Sequence, residues 1–119
     1  MERSEEGFTL VELLVVLIVI AILVLVAVGF HQLARERAND AVAQSNIRVA
    51  VPAIEVYRAD TGTYAGMTLA GLQTVYSPGI TGIEILDADL NGYCVRSVVG
   101  DRSWHKLGPN GSITTTPCV

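Results

Sequence analysis

The feature that most limits the fold of this chain is an uncharged apolar run from Leu13 to Phe30, interrupted only by Gly29. As an α-helix the run would be about 27 Å long, and with residues 8–11 added it reaches the roughly 30 Å of a bilayer's hydrocarbon layer. A cleaved secretory signal is the alternative, but such signals place an apolar core of only about 7 to 15 residues after a basic start. The charged side chains of residues 1–6 are mostly acidic. The run therefore predicts a membrane-spanning helix.

The rest of the sequence has the composition of one small polar domain. The chain has 119 residues, half of them hydrophobic and 17% charged, with a mean hydropathy of +0.45. These values exclude a disordered chain and a coiled coil. The chain has 8 Lys or Arg residues and 12 Asp or Glu residues, which gives a net charge of -4. Because nucleic-acid binders usually carry a basic surplus, nucleic acid is not expected as the main ligand.

Glu12 is a carboxylate one turn inside the apolar segment. Placing it there costs about 2.5 to 3.5 kcal/mol on insertion scales, so it needs water, a partner or a function. Taken alone, Glu12 could lie at headgroup depth in contact with water. Its neighbours offer a second interpretation.

Gly7 to Leu14, with the sequence GFTLVELL, closely resembles the processing motif of the type IV pilin superfamily. The resemblance implies that a prepilin peptidase removes a leader of residues 1–7, cutting after Gly7, and methylates Phe8. It also implies that Glu12 becomes the fifth mature residue and neutralises the amino terminus of a neighbouring subunit. The leader is short and hydrophilic, as in the family, although it is acidic where the family's leaders are usually basic.

The helix is expected to continue beyond the membrane and to become amphipathic. Apolar residues recur at spacings of four and three and form one helical face, which Val51 widens. Gly29 and Pro52 interrupt this helix: the glycine weakens it by about 1 kcal/mol, and the proline removes a hydrogen bond to the Arg48 carbonyl. We expect a soft point at Gly29 and a kink, rather than an end, at Pro52. The predicted face consists of Ala43, Ile47, Ala50, Ile54 and Tyr57.

The second half of the chain predicts a loop followed by an antiparallel sheet. Gly62 is expected to end the helix in the left-handed conformation, and one short helical turn is expected within the loop, around 68–73. Strands are expected at 82–88, 93–99, 103–107 and 112–115, with Asn91-Gly92 as a hairpin turn. The predicted class is α+β, the type IV pilin fold, with a long N-terminal helix on a three- to four-stranded sheet. The predicted segments are a leader (1–7), a transmembrane and filament-core helix (8–30) and a globular domain (31–119). The domain comprises an amphipathic helix (31–60), an αβ-loop (62–81) and a sheet with a C-terminal disulfide loop (82–119).

Few residues suggest chemistry. No catalytic motif is found, and no enzyme activity or cofactor is expected. Asp87, Asp89 and Asn91 could offer oxygen ligands to calcium, but the EF-hand spacing fails and no metal site is predicted. Cys94 and Cys118 fit one disulfide in an oxidising compartment better than a zinc site, with free thiols or intermolecular pairing as alternatives. The resemblance favours a disulfide, since many pilins close a C-terminal loop with one.

The resemblance implies a structural function. The expected protein is a subunit of a type IV pilus or related filament, polymerised through its helix for adhesion, motility or DNA uptake. Its expected partners are other copies of itself, in a helical homopolymer or a mixed filament, together with the prepilin peptidase, the pilus assembly platform and the bacterial inner membrane that holds the precursor. The expected final location is the extracellular filament. The alternatives are a pseudopilin of type II secretion and, in a different class, a signal-anchored surface binding protein.

Overall fold

The computed structural model describes residues 9–119, which form two compact units. One unit ends at Arg35 and the other is Glu36–Val119. Predicted features at Gly7 and Phe8 lie outside the described residues. The elements, in chain order, are α1 (Leu10–Thr61), α2 (Leu69–Val75), β1 (Glu84–Ala88), β2 (Tyr93–Val99), β3 (Arg102–Gly108) and β4 (Ile113–Thr114).

The N-terminal unit is the first half of α1. Its side chains are exposed throughout, from Leu10 at 86% to Phe30 at 69%. This helix is the one among the described residues that is long and apolar enough to cross a membrane. A helix that is apolar on every side and has no cover of its own needs lipid or other protein around it.

In the second unit, α1 buries the predicted face. Ala43, Ile47, Ala50 and Ile54 are fully buried, while Tyr57 is partly buried. Ala53, which the spacing did not predict, is buried as well. The helix passes through the exposed Pro52 and ends at Thr61, one residue before Gly62. Gly62 has φ of +81° and its N–H donates to the Arg58 carbonyl at 2.8 Å, so the predicted left-handed end is confirmed.

Four antiparallel strands form the sheet, in the order β1-β2-β3-β4, each paired with the next along the chain. The predicted α+β pilin fold is confirmed. Alternation in β2 turns Tyr93 and Val95 to the core that α1 covers. Cys94 and Arg96, one residue along from each, are therefore on the opposite face, which we call the outer face. The fourth strand is shorter than predicted, since only Ile113 and Thr114 pair with β3.

Polar contacts, in addition to apolar packing, hold α1 against the sheet. Asp40 accepts hydrogen bonds from Arg102 Nε at 2.6 Å and from Trp104 Nε1 at 2.8 Å. Further along α1, Asn46 Nδ2 donates to the hydroxyl of the buried Ser97 at 3.2 Å. These contacts join α1 to β3 and to β2 at two levels.

Candidate assembly site

Glu12 lies in the first turn of α1. Its backbone N–H donates to the Thr9 hydroxyl at 3.1 Å, which satisfies one of the donors that a helix leaves free at its start. A carboxylate at this end of a helix is also favoured by the helix dipole. Between Thr9 and Phe30, Glu12 is the single charged side chain. Thr9 was not among the residues predicted to matter, although a threonine just before an apolar helix is a capping signal.

Gly29 and Pro52 do not end α1, which runs without interruption from Leu10 to Thr61. No atom outside the neighbouring helix backbone lies within 4 Å of a Cβ built on Gly29. The space around this glycine is therefore open, and its predicted softness in a filament stays a prediction. The predicted kink at Pro52 also stays a prediction.

Cys94 and Cys118 form a disulfide, with their Cα atoms 5.9 Å apart. Cys94 is buried on the outer face of β2, where its register partner in β3 is Leu107. The chain after β4 must therefore return across the outer face of β3 to reach Cys94. We call residues 115–119 the C-terminal tail.

The aspartates of the β1–β2 hairpin support the turn. Asp89 Oδ1 accepts from the N–H groups of Asn91 and Gly92, at 2.8 and 2.7 Å. This carboxylate is thus already engaged with the backbone. Within residues 9–119 no group of three or more His, Cys, Asp or Glu side chains is arranged to hold a metal ion.

Two polar sites were not predicted from the sequence. Hydrogen bonds from Arg102 and Trp104 hold the pKa of the Asp40 carboxyl below its ordinary value. His105 is 5% exposed, and burial, with a smaller effect of the Arg96 charge, lowers its pKa. Spacing in the sequence could not reveal either site. Asp40 and Arg102 are 62 residues apart, and Arg96, which affects His105, lies in a different strand.

The fold and the exposed helix together define a class of protein: a small α+β domain in a chain that begins with an apolar helix, which requires lipid or other protein around it. Residues 3–28 match the family model described as the prokaryotic N-terminal methylation motif. The chain is also 34% identical, over 119 aligned residues, to the type IV wide pilus major component PilA4 of Thermus thermophilus. That alignment covers 96% of this chain and 89% of the relative.

The chain belongs to the type IV pilin family. It is a structural subunit of a type IV pilus, made as a membrane-anchored precursor and assembled into an extracellular filament. The comparisons favour neither the type II secretion pseudopilin nor the signal-anchored binding protein. A structural subunit of this kind is usually not an enzyme.

Proposed function

We propose that this chain is the main subunit of its pilus and polymerises with copies of itself. A prepilin peptidase cuts it between Gly7 and Phe8 and methylates the new amino terminus, and the assembly platform then transfers it from the inner membrane to the growing filament. The observation that carries the proposal is the exposed apolar surface of Leu10–Phe30, with Glu12 as its single charge. The relative named as a major pilus component supports the role as main subunit.

The apolar surface of residues 10–30 suits both the membrane and the filament. In the precursor its apolar side chains are covered by lipid, where their hydration would otherwise be unfavourable. In the filament they must be covered by other protein, and the helices of other subunits present the same apolar surface. Storage in the membrane and packing in the filament therefore both require residues 10–30 to be apolar on all sides of the helix.

Glu12 gives this otherwise uniform surface a defined register. Cleavage after Gly7 would leave a positively charged amine on Phe8 in an almost chargeless setting. The Glu12 carboxylate of an adjacent copy can neutralise that amine, and any axial slip would leave both charges unpaired among apolar side chains. Such a pair adds little net stability, but the cost of an unpaired charge fixes the position of each subunit.

The proposal is tested in cells that make this chain as their single pilin. Mass spectrometry of sheared filaments should show a chain that starts at Phe8 and carries one added methyl group. Gly7→Val should leave uncut precursor in the membrane. Glu12→Gln, which keeps the shape and removes the charge, should be processed normally and yield few filaments, whereas the nearby Thr9→Ser should assemble normally. Abundant filaments from Glu12→Gln would contradict the charge-pair role, and filaments that retain Met1 would contradict the processing site.

A further inference from the structure

Arg35 is exposed just after the apolar run and has no partner among the described residues. Within residues 9–119 it makes no ion pair and no side-chain hydrogen bond, and neither does Arg37. Glu36 does not face Arg35, because consecutive side chains of a helix point in different directions. The other arginines of this part of the chain contact side chains of the second unit, and they are Arg48, Arg58, Arg96 and Arg102. The Arg35 guanidinium is therefore available to a group from outside the helix.

The position of Arg35 along α1 places it at the depth of lipid headgroups while the chain is a membrane-anchored precursor. The helix continues past Phe30, so Arg35 lies about 7.5 Å beyond the end of the apolar run. The headgroup layer on each side of the hydrocarbon is about 5 to 7 Å thick. Because an arginine keeps its charged end in the polar layer while its stem contacts apolar groups, this side chain reaches the lipid phosphates.

The side of α1 that leads to Arg35 has apolar, polar and charged groups in the same order as a phospholipid. A groove of about 320 Å³ runs along this side and is lined by Val24, Ala27, Val28, His31 and Gln32. Its apolar wall is nearer the start of α1, and its two polar residues are at the other end. Arg35 is four residues after His31, so it lies on the same side of the helix.

We infer that this side of α1 binds an acidic phospholipid in the precursor, with an acyl chain along the groove and the phosphate on the Arg35 guanidinium. His31 and Gln32 add N–H donors at the headgroup end of the groove. The planar guanidinium can donate two parallel hydrogen bonds to one phosphate. A zwitterionic lipid offers the same phosphate but carries an ammonium group that competes with Arg35, so a headgroup with net negative charge binds more tightly.

Contact between Arg35 and the phosphate is tested in bilayers at low protein density, where copies of the chain are apart. Full-length protein with isotope-labelled arginines is reconstituted in phosphatidylcholine vesicles that contain phosphatidylglycerol. Solid-state NMR then measures the coupling between arginine Cζ and lipid phosphorus. We expect a coupling that Arg35→Gln reduces and Arg48→Gln leaves unchanged. Arg48 is the matched control because it is exposed further along α1 and bonds to Gln44.

The preference for an acidic headgroup is measured with trace spin-labelled phosphatidylglycerol and, separately, spin-labelled phosphatidylcholine. We expect Arg35→Gln to lower the preference for phosphatidylglycerol about fivefold, the effect of one basic side chain near a membrane surface, whereas Arg35→Lys should retain it. Trp104 fluorescence confirms that each variant is folded.

An unchanged preference in Arg35→Gln, or an equal loss in Arg48→Gln, would overturn the inference. A preference that appears only at high protein density would also overturn it, because this side of α1 would then belong to a second copy. The inference rests on the membrane-anchored precursor and not on pairing through Glu12. These measurements do not count filaments, so either result leaves the proposed filament role intact.

Discussion

Among single residues, we expect His105 to make the stability of the second unit depend on pH. Burial and the Arg96 charge lower its pKa in the folded state, so the folded protein binds fewer protons than the unfolded one just below the ordinary histidine pKa. Neutral His105 therefore leaves the free energy of unfolding at its full value above about pH 6.5. The free energy of unfolding decreases as the pH falls below that value. Asp40 acts in a separate, more acidic range, because its lowered pKa gives stability that is lost only as the pH falls through its folded-state value.

Replacing His105 should therefore reduce the pH dependence of melting between pH 7.5 and 5.5. Trp104 is the single tryptophan of the chain and lies beside Asp40, so its fluorescence reports on unfolding of this unit. The wild-type melting temperature should fall over this range. His105→Gln should fall less, and His31→Gln should behave like wild type. An equal fall in His105→Gln would show that another group is responsible.

At the scale of secondary structure, turn residues and apolar spacing in the sequence predicted most of the fold. The end of α1 at Gly62, the buried face of that helix and the β1–β2 hairpin follow from local signals, namely a left-handed glycine, a 3.6-residue period and Asn91-Gly92. Contacts between distant segments could not be obtained in this way. Asp40 reads as an ordinary polar helical residue, and its role depends on where β3 places Arg102 and Trp104.

Two glycines at positive φ separate backbone strain from steric conflict. Gly62 has φ of +81° with nothing within 4 Å of a built Cβ, so Gly62→Ala should cost about 1 kcal/mol from the backbone alone. Gly100 has φ of +62°, but its Cβ would lie 2.7 Å from Asn39 Nδ2. Gly100→Ala should therefore lower the melting temperature further. Double replacement with Asn39→Ala should recover the difference, and equal effects of the two single variants would contradict the steric explanation.

The second half of α1 also has an apolar stripe that its own domain leaves uncovered. Val42, Val49 and Val56 recur every seven residues and are each almost half exposed. Seven residues are close to two helical turns, so these valines share one side of α1. A polar domain in water gains nothing from such a stripe, whereas a filament subunit can cover it with the apolar helix of another copy.

A charge in this stripe should block assembly without unfolding the domain. Val49→Lys should be processed and should form its disulfide, yet give few filaments, because the lysine would be buried against apolar side chains. Val75→Lys is the matched control, since Val75 is 69% exposed on α2 and lies outside the stripe. Normal filaments from Val49→Lys would show that this side of α1 stays exposed to solvent.

At the scale of the whole molecule, the assembly helix and the bridged C-terminal tail differ in how far sequence alone could define them. The motif from Gly7 to Leu14 and the apolar run are continuous in sequence, so the assembly segment could be recognised directly. The tail lies on the outer face because it crosses β3 to reach Cys94, 24 residues earlier in the chain. Two cysteines indicate that a bridge can form, but not which side of the sheet the tail covers.

The disulfide should therefore both stabilise the second unit and keep His105 buried. The tail has little apolar surface to hold it, since Pro117 is exposed and Val119 is 77% exposed. Closing a loop of this size removes unfolded-state entropy worth about 3.5 kcal/mol in the chain-entropy model. The double variant Cys94→Ser with Cys118→Ser should lose stability of this order while keeping its helix content.

The same variant should expose His105, because the tail would no longer be fixed over it. Its ring should then titrate nearer the ordinary histidine value of about 6.5, and the pH dependence of melting should shrink as it does in His105→Gln. Ser103→Ala, on the outer face but away from the tail, is the control and should keep both properties. If the serine variant melts at a lower temperature yet its His105 titrates as in wild type, then the strands, and not the bridged tail, bury this histidine.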